Sequence, residues 1–171
     1  GPVVLKKALA KSLNIISAKL IFKVKPVEVV KTARKFGFTS PIRENFSLAL
    51  GATGASPLEL ASAYSTIANL GVYIDPFYVS KIEDYQGNIL YEHFVDGEKR
   101  FEPEAVYPLL DMMQGVMDDG SGRVIRRMGF KHPAAGKTGT TNAFRDAWFA
   151  GFTKDLTTSV WVGYDDNESM Y

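Results

Sequence analysis

Gly136-Lys137-Thr138-Gly139-Thr140-Thr141 stands between the approach Pro133-Ala134-Ala135 and a polar tract over residues 142–146. A lysine among glycines and threonines brings a compact positive charge. It also brings hydroxyl donors and so little side-chain bulk that backbone N–H groups can come close to an anion. Alone, the hexapeptide reads first as a plain loop, so its surroundings decide. Asp146-Ala147-Trp148-Phe149-Ala150-Gly151-Phe152 follows as an extended run, and Thr153-Lys154-Asp155 forms a tight turn. Residues 156–164 then alternate Thr158, Val160 and Val162 with Ser159 and Trp161. With residues 135–141 as a first strand, the spacing predicts a three-stranded antiparallel meander over residues 135–164. Its long aromatic side chains call for helices on at least one face. The fold class expected is α+β, an antiparallel sheet covered by helices.

The bulk properties narrow the function. The 171 residues suit one domain with a real core. A net charge of +1 does not favour nucleic acid as a partner. The absence of cysteine excludes disulfides and thiolate metal sites. No apolar run is long enough to span a bilayer, and no signal peptide opens the sequence. Gly1-Pro2 resembles the scar of a removed tag, so the natural chain is expected to continue upstream.

Upstream of the meander, residues 3–24 read as helix, with Leu5, Leu9, Leu13, Ile16 and Leu20 on one stripe. Ser12 and Asn14 sit in its middle, although both types prefer caps and turns. Local evidence favours a solvent-facing polar pair on one long helix; the other reading is a break between two shorter ones. Pro26 opens another helix, which Gly37 ends with Phe36 and Phe38 flanking the cap. Ser56-Pro57-Leu58-Glu59 carries a capping box for a core helix that Gly71 stops. Residues 78–94 read as a surface hairpin whose first strand alternates as a half-buried strand would. Glu102-Pro103-Glu104 opens a helix to residue 118, with an apolar stripe from Val106 to Met117. Arg123, Arg126 and Arg127 read as a solvated basic face. His93, with no neighbouring carboxylate or histidine at ligand spacing, reads as a plain exposed or edge histidine, and His132, before Pro133, reads as structural.

Taken together, three features resemble one family. They are the Ser12-x-Asn14 pair, the strand bearing Lys137-Thr138-Gly139-Thr140, and the runs Asp146-Ala147-Trp148-Phe149 and Trp161-Val162-Gly163-Tyr164-Asp165-Asp166. The chain is similar to the transpeptidase domain of penicillin-binding proteins, in particular the bifunctional class A enzymes that also carry a glycosyltransferase domain. The superfamily's motif set is S-x-x-K, Ser-x-Asn and K-T-G. The resemblance covers nearly all of the chain and implies the penicillin-binding and serine β-lactamase-like fold, incomplete here. Residues 1–171 would be the C-terminal part of one transpeptidase domain: helices over 3–70, the hairpin over 78–94, a helix over 103–118 and the meander over 135–164.

No Ser-x-x-Lys occurs in the sequence. The resemblance therefore implies that the acylating serine lies upstream of this chain, and that the fragment alone is inactive. In the family a serine attacks the D-Ala-D-Ala amide of a peptidoglycan stem peptide, and a neighbouring stem's amine takes the acyl group. By the resemblance, Ser12 and Lys137 serve the proton route and the positive field, and Asn14 holds the substrate's amide carbonyl. Thr138 and Thr140, with Gly139 between them, bind the terminal carboxylate of the peptide or of a β-lactam. The Thr140 N–H would be half of an oxyanion hole. No cofactor or metal is implied. The partners implied are stem peptides, β-lactam antibiotics, and either the missing N-terminal half of the domain or another copy of the chain. The location implied is the periplasmic or extracellular face of the bacterial inner membrane, with the anchor upstream. Two other readings stand beside this one: a non-catalytic scaffold of the same fold kept for partner binding, and a related D,D-carboxypeptidase or β-lactamase.

Overall fold

The structure is a computed structural model that describes residues 1–170. The single long helix over residues 3–24 does not form: α1 spans Leu5–Ala10 and α2 spans Asn14–Val24. Between them Ser12 takes φ 52°, in the left-handed region, and Leu13 is extended. Serine and asparagine lose little by leaving a helix, because their side chains compete with the backbone for hydrogen bonds. The break also ends the apolar stripe. Ala8 and Ala10 are buried on α1 and Ile21 on α2, whereas Leu5, Leu13 and Leu20 are exposed.

α3 spans Pro26–Lys35, with proline in its first turn, and Gly37 follows its cap at φ 91°. Phe36 stacks on Phe101 at a centroid distance of 4.2 Å, so a residue distant in sequence pins this helix end. A 3-10 turn over Phe46–Leu50 is capped by the Asn45 side chain. α4 spans Pro57–Ala68 and carries the capping box read from the sequence: Ser56 Oγ accepts from Glu59 N–H, and Glu59 accepts from Ser56 N–H.

Strands β1 (Val72–Ile74), β2 (Lys81–Glu83), β3 (Ile89–Glu92) and β4 (Gly97–Lys99) form two antiparallel pairs, β1 with β4 and β2 with β3. The β2–β3 hairpin is not half-buried as its alternation suggested. Every residue of both strands is exposed, because among the described residues the two strands pack chiefly on each other.

α5 spans Pro103–Asp118 and buries Val106, Met113, Val116 and Met117. α6 spans Val124–Arg127. The arginines nearby are not one solvated face: Arg126 pairs with Asp118 at 3.0 Å and donates to the carbonyls of Phe130 and His132, tying down the approach to the next strand.

The meander is β5 (Ala135–Thr140), β6 (Asp146–Phe152) and β7 (Thr157–Gly163), antiparallel in the order β5-β6-β7. Ala135 pairs with Phe152 and Trp148 with Trp161. Side chains alternate between faces, so Ala135, Lys137, Trp148, Phe152 and Trp161 share one face. That face packs on α4 and α5 around a core of Ile67, Val106, Met113, Ala135 and Phe152. The other face carries Val160 and Val162, each about half exposed. The architecture is α+β, with helices on one side of the antiparallel sheet. No described helix is long and apolar enough to cross a membrane.

Candidate active site

The site is built on the open edge of β5. Thr141 N–H donates to Asp146 O at 3.1 Å, which makes that pair a hydrogen-bonded rung of the β5–β6 ladder. Antiparallel ladders alternate. Lys137 and Gly139 therefore turn their amides to β6, while Thr138 and Thr140 turn N–H and C=O outward, away from the sheet. β5 has no partner strand on that side among the described residues.

Lys137 lies on the helical face of the strand. Its Nζ donates to Ser12 Oγ at 3.0 Å and to Thr138 O at 2.7 Å. Burial pushes the Lys137 ammonium below the ordinary lysine value. The carbonyl of Thr138 is available to it because the ladder leaves that group free.

Ser12 reaches Lys137 because of the helix break. Its left-handed backbone ends α1 and carries the hydroxyl beyond the helix. A continuous helix would have kept Ser12 on a cylinder with its side chain leaning back along the axis. Asn14 is the first residue of α2; its amide is exposed and hydrogen-bonds to none of the described residues. Of the residues singled out in the sequence, Ser12, Lys137 and Thr138 are joined by hydrogen bonds. Gly139 and Thr140 follow on the same strand, and Asn14 stands two positions beyond Ser12.

Two features of the site escaped the sequence reading. Ser121, in the loop after α5, has its Oγ 2.5 Å from Thr138 Oγ1. Its signal was a hydroxyl between two glycines, Gly120 and Gly122, directly after a helix. The second is a knot around Asp146 at the far end of β5. Asp146 Oδ1 accepts from Trp161 Nε1 at 2.9 Å, Oδ2 accepts from Thr141 Oγ1 at 3.1 Å, and Asp146 N–H donates to Thr141 Oγ1 at 2.8 Å. Asp146, Trp148 and Trp161 line one wall of an open cleft of about 750 Å³, opposite Phe38, Leu60 and the glycine-containing loop 51–55.

Chemically, the edge offers the Lys137 positive charge, the hydroxyls of Ser12, Thr138 and Thr140, and the Thr138 and Thr140 amides, which meet no partner strand among the described residues. That set suits an anion next to a carbonyl that develops negative charge. Among the described residues there is no cluster of histidine, cysteine, aspartate or glutamate suited to a metal ion.

A family model described as the penicillin binding protein transpeptidase domain matches residues 1–169. The chain is 40% identical over 171 residues to penicillin-binding protein 1A of Aquifex aeolicus, covering 99% of this chain and 23% of that protein. It is 35% identical over 176 residues to penicillin-binding protein 2D of Bacillus subtilis, covering 99% of this chain and 25% of that protein. Among solved structures it matches penicillin-binding protein 1A from Haemophilus influenzae with a TM-score of 0.91 at 27% identity, over 98% of this chain and 31% of that one. It also matches PonA1 from Mycobacterium tuberculosis in complex with penicillin V, with a TM-score of 0.78 at 27% identity, over 96% of this chain and 48% of that one. The chain spans about a quarter of the length of the curated relatives it matches.

Proposed function

The chain belongs to the penicillin-binding protein transpeptidase domain family, and from that premise we propose that it supplies the anion-binding and proton-handling side of a serine D,D-transpeptidase. The observation that carries this is the 3.0 Å bond from Lys137 Nζ to Ser12 Oγ, beside an open strand edge. A scaffold kept only for its shape has no need to bring a lysine to a serine 125 positions away and leave a strand edge free next to it.

The substrate's D-Ala-D-Ala end lies along β5. Its carboxylate takes the hydroxyls of Thr138 and Thr140, and the Lys137 charge draws it in. The scissile carbonyl oxygen turns toward the Thr140 N–H, which the ladder leaves unpaired and which stabilises the tetrahedral oxyanion. Asn14 donates its amide N–H to a carbonyl further along the peptide. Ser12 and Lys137 pass a proton toward the leaving amine, which needs one as the C–N bond breaks. A lysine whose pKa is lowered by burial gives up that proton more readily than a solvated one.

The nucleophile is a serine of the remainder of the enzyme, because no Ser-x-x-Lys occurs in these residues. Its Oγ forms the acyl ester, and a stem-peptide amine then displaces it to make the cross-link. β-Lactams take the same place; PonA1 has been solved with penicillin V. The exposed Val160 and Val162 and the open edge of β7 are where the rest of the domain, or a second copy, packs. Since peptidoglycan is the substrate, the site works at the outer face of the bacterial membrane, held there by an anchoring segment elsewhere in the protein.

The test is labelling with a fluorescent penicillin, followed by denaturing gel electrophoresis. The enzyme containing this chain and its serine should form a lasting adduct, while these 171 residues alone should form none. A covalent band on the isolated chain would overturn the placement of the nucleophile. Rapid release of hydrolysed penicillin by the whole enzyme would move the assignment to a hydrolase.

A further inference from the structure

Ser121 touches Thr138, and the mechanism above gives it no task. It sits on the loop Asp119-Gly120-Ser121-Gly122, which several bonds hold in place. Ser121 N–H donates to Ala10 O at 2.9 Å, Gly122 N–H to Val116 O at 3.0 Å, and Lys11 Nζ to Asp119 O at 2.5 Å. Gly120 is packed so closely that a Cβ there would overlap Ala10 O and lie 2.7 Å from Val116 Cα. The loop is thus fastened to the last turn of α1, two residues before Ser12. From this shared base one serine reaches Lys137 and another reaches Thr138. Lys137 and Thr138 are successive residues on opposite faces of β5.

We infer that Ser121 is a positioning residue for carboxylate recognition: it donates to Thr138 Oγ1 and so turns the single Thr138 hydroxyl proton toward the ligand's carboxylate. The inference rests on the carboxylate reading of Thr138 proposed above. A threonine hydroxyl has one proton and two lone pairs. A carboxylate only accepts, so when it binds, Thr138 must give its proton to it. The Thr138 oxygen then has to accept from Ser121, whose own proton is the only one available on the 2.5 Å axis between them. A chain of hydroxyls running Ser121 to Thr138 to carboxylate polarises in one direction and strengthens the last bond. Without Ser121, the Thr138 rotor is free and loses part of its binding to reordering. Ser121 is exposed, so the backbone anchors on Ala10 hold it there rather than packing.

The experiment measures second-order acylation rates of the whole enzyme with two probes. One is a penicillin with its free carboxylate, and the other is the same penicillin as its methyl ester. Ser121→Ala is expected to slow acylation by the free acid about five- to ten-fold, the size of one neutral hydrogen bond, while changing the ester rate less than about two-fold. Ser121→Thr is expected to restore the free-acid rate. In the Thr138→Val background, Ser121→Ala should add nothing, since both act through one contact. An equal loss on acid and ester would mean that Ser121 only holds the loop, and would overturn the inference. So would a wild-type rate for Ser121→Ala beside a defective Thr138→Val, which leaves the carboxylate reading standing. If Thr138→Val itself reacts normally with the free acid, the carboxylate reading falls and takes the Ser121 role with it.

Discussion

Lys137 Nζ and Ser12 Oγ are 3.0 Å apart across 125 positions of chain, and the helix break at Ser12 is what lets them meet. The ammonium there is half-buried and its pKa is lowered by that burial. Among the described residues, Ser12 and the Thr138 carbonyl are the acceptors it has in exchange for water.

Replacing Lys137 by alanine in the whole enzyme removes both the charge and the proton donor. Acylation by penicillin is expected to fall by roughly two to three orders of magnitude. Lys137→Arg is not expected to restore it, because a guanidinium is planar, stays protonated and does not fit a site shaped for a point charge. Stopped-flow acylation kinetics check both; a normal rate for the alanine variant would remove Lys137 from the mechanism.

Glu59 ties α4 to the chain after α3. One carboxylate accepts from Thr39 N–H at 2.7 Å, Ser40 N–H at 2.7 Å, Ser40 Oγ at 2.6 Å and Ser56 N–H at 2.9 Å. Burial alone would raise its pKa. The hydrogen bonds from the Ser40 hydroxyl and from the Ser56, Ser40 and Thr39 amides outweigh that and hold the carboxyl well below its ordinary 4.5. A depressed carboxyl stabilises the fold above the unfolded value and loses that contribution as pH falls below it. Stability should therefore decline as pH drops below about 4.5, and Glu59→Gln should flatten that decline while lowering stability at neutral pH by about 2 kcal/mol. Urea denaturation at a series of pH values reads both effects, and identical slopes would refute the assignment.

Gly120→Ala places a methyl group against Ala10 O and Val116 Cα. The expected cost is about 1–3 kcal/mol, seen in a lowered unfolding midpoint. Acylation should fall as well, since the displaced loop carries Ser121 and rests on the turn before Ser12. A stable, fully active variant would show that the loop yields without disturbing either serine.

Produced alone, the chain of 18.9 kDa is expected to run as an assembly larger than its own mass, or to bind the rest of its domain. Val160, Val162 and the free edge of β7 are the contacting surface. Light scattering after gel filtration decides, and a lone, well-behaved monomer would count against it. Val160→Lys on the exposed face should reduce any such association without unfolding the core, which lies on the opposite face.

Much of this was legible in the chain. The alternation from Ala135 to Gly163 sets the meander, because a strand's two-residue period places side chains on one face or the other regardless of neighbours. The capping box at Ser56 and Glu59 is local chemistry and formed as read. The motif runs around Lys137 and Trp161 were enough to place the chain in its family. Where the reading missed, the deciding factor was the three-dimensional surroundings of a side chain rather than its local period. The exposure of both faces of the β2–β3 hairpin reflects what fails to pack on it, which no period within the strand reveals. Arg126 looked like a solvated charge until Asp118 and two carbonyls were found around it.

By itself, then, the sequence determined the class of fold, the strand that carries the candidate site and the identity of the groups on it, all set by local period and local chemistry. Only the tertiary structure decided how those groups meet. A helix break rather than a continuous helix puts Ser12 on Lys137. The loop after α5, anchored on Ala10, puts Ser121 on Thr138. The ladder register leaves the Thr138 and Thr140 amides open on the β5 edge. The two serine contacts depend on bonds between residues far apart in the chain, about which local propensity carries no information, and the ladder's phase is set by the pairing across the β5–β6 turn.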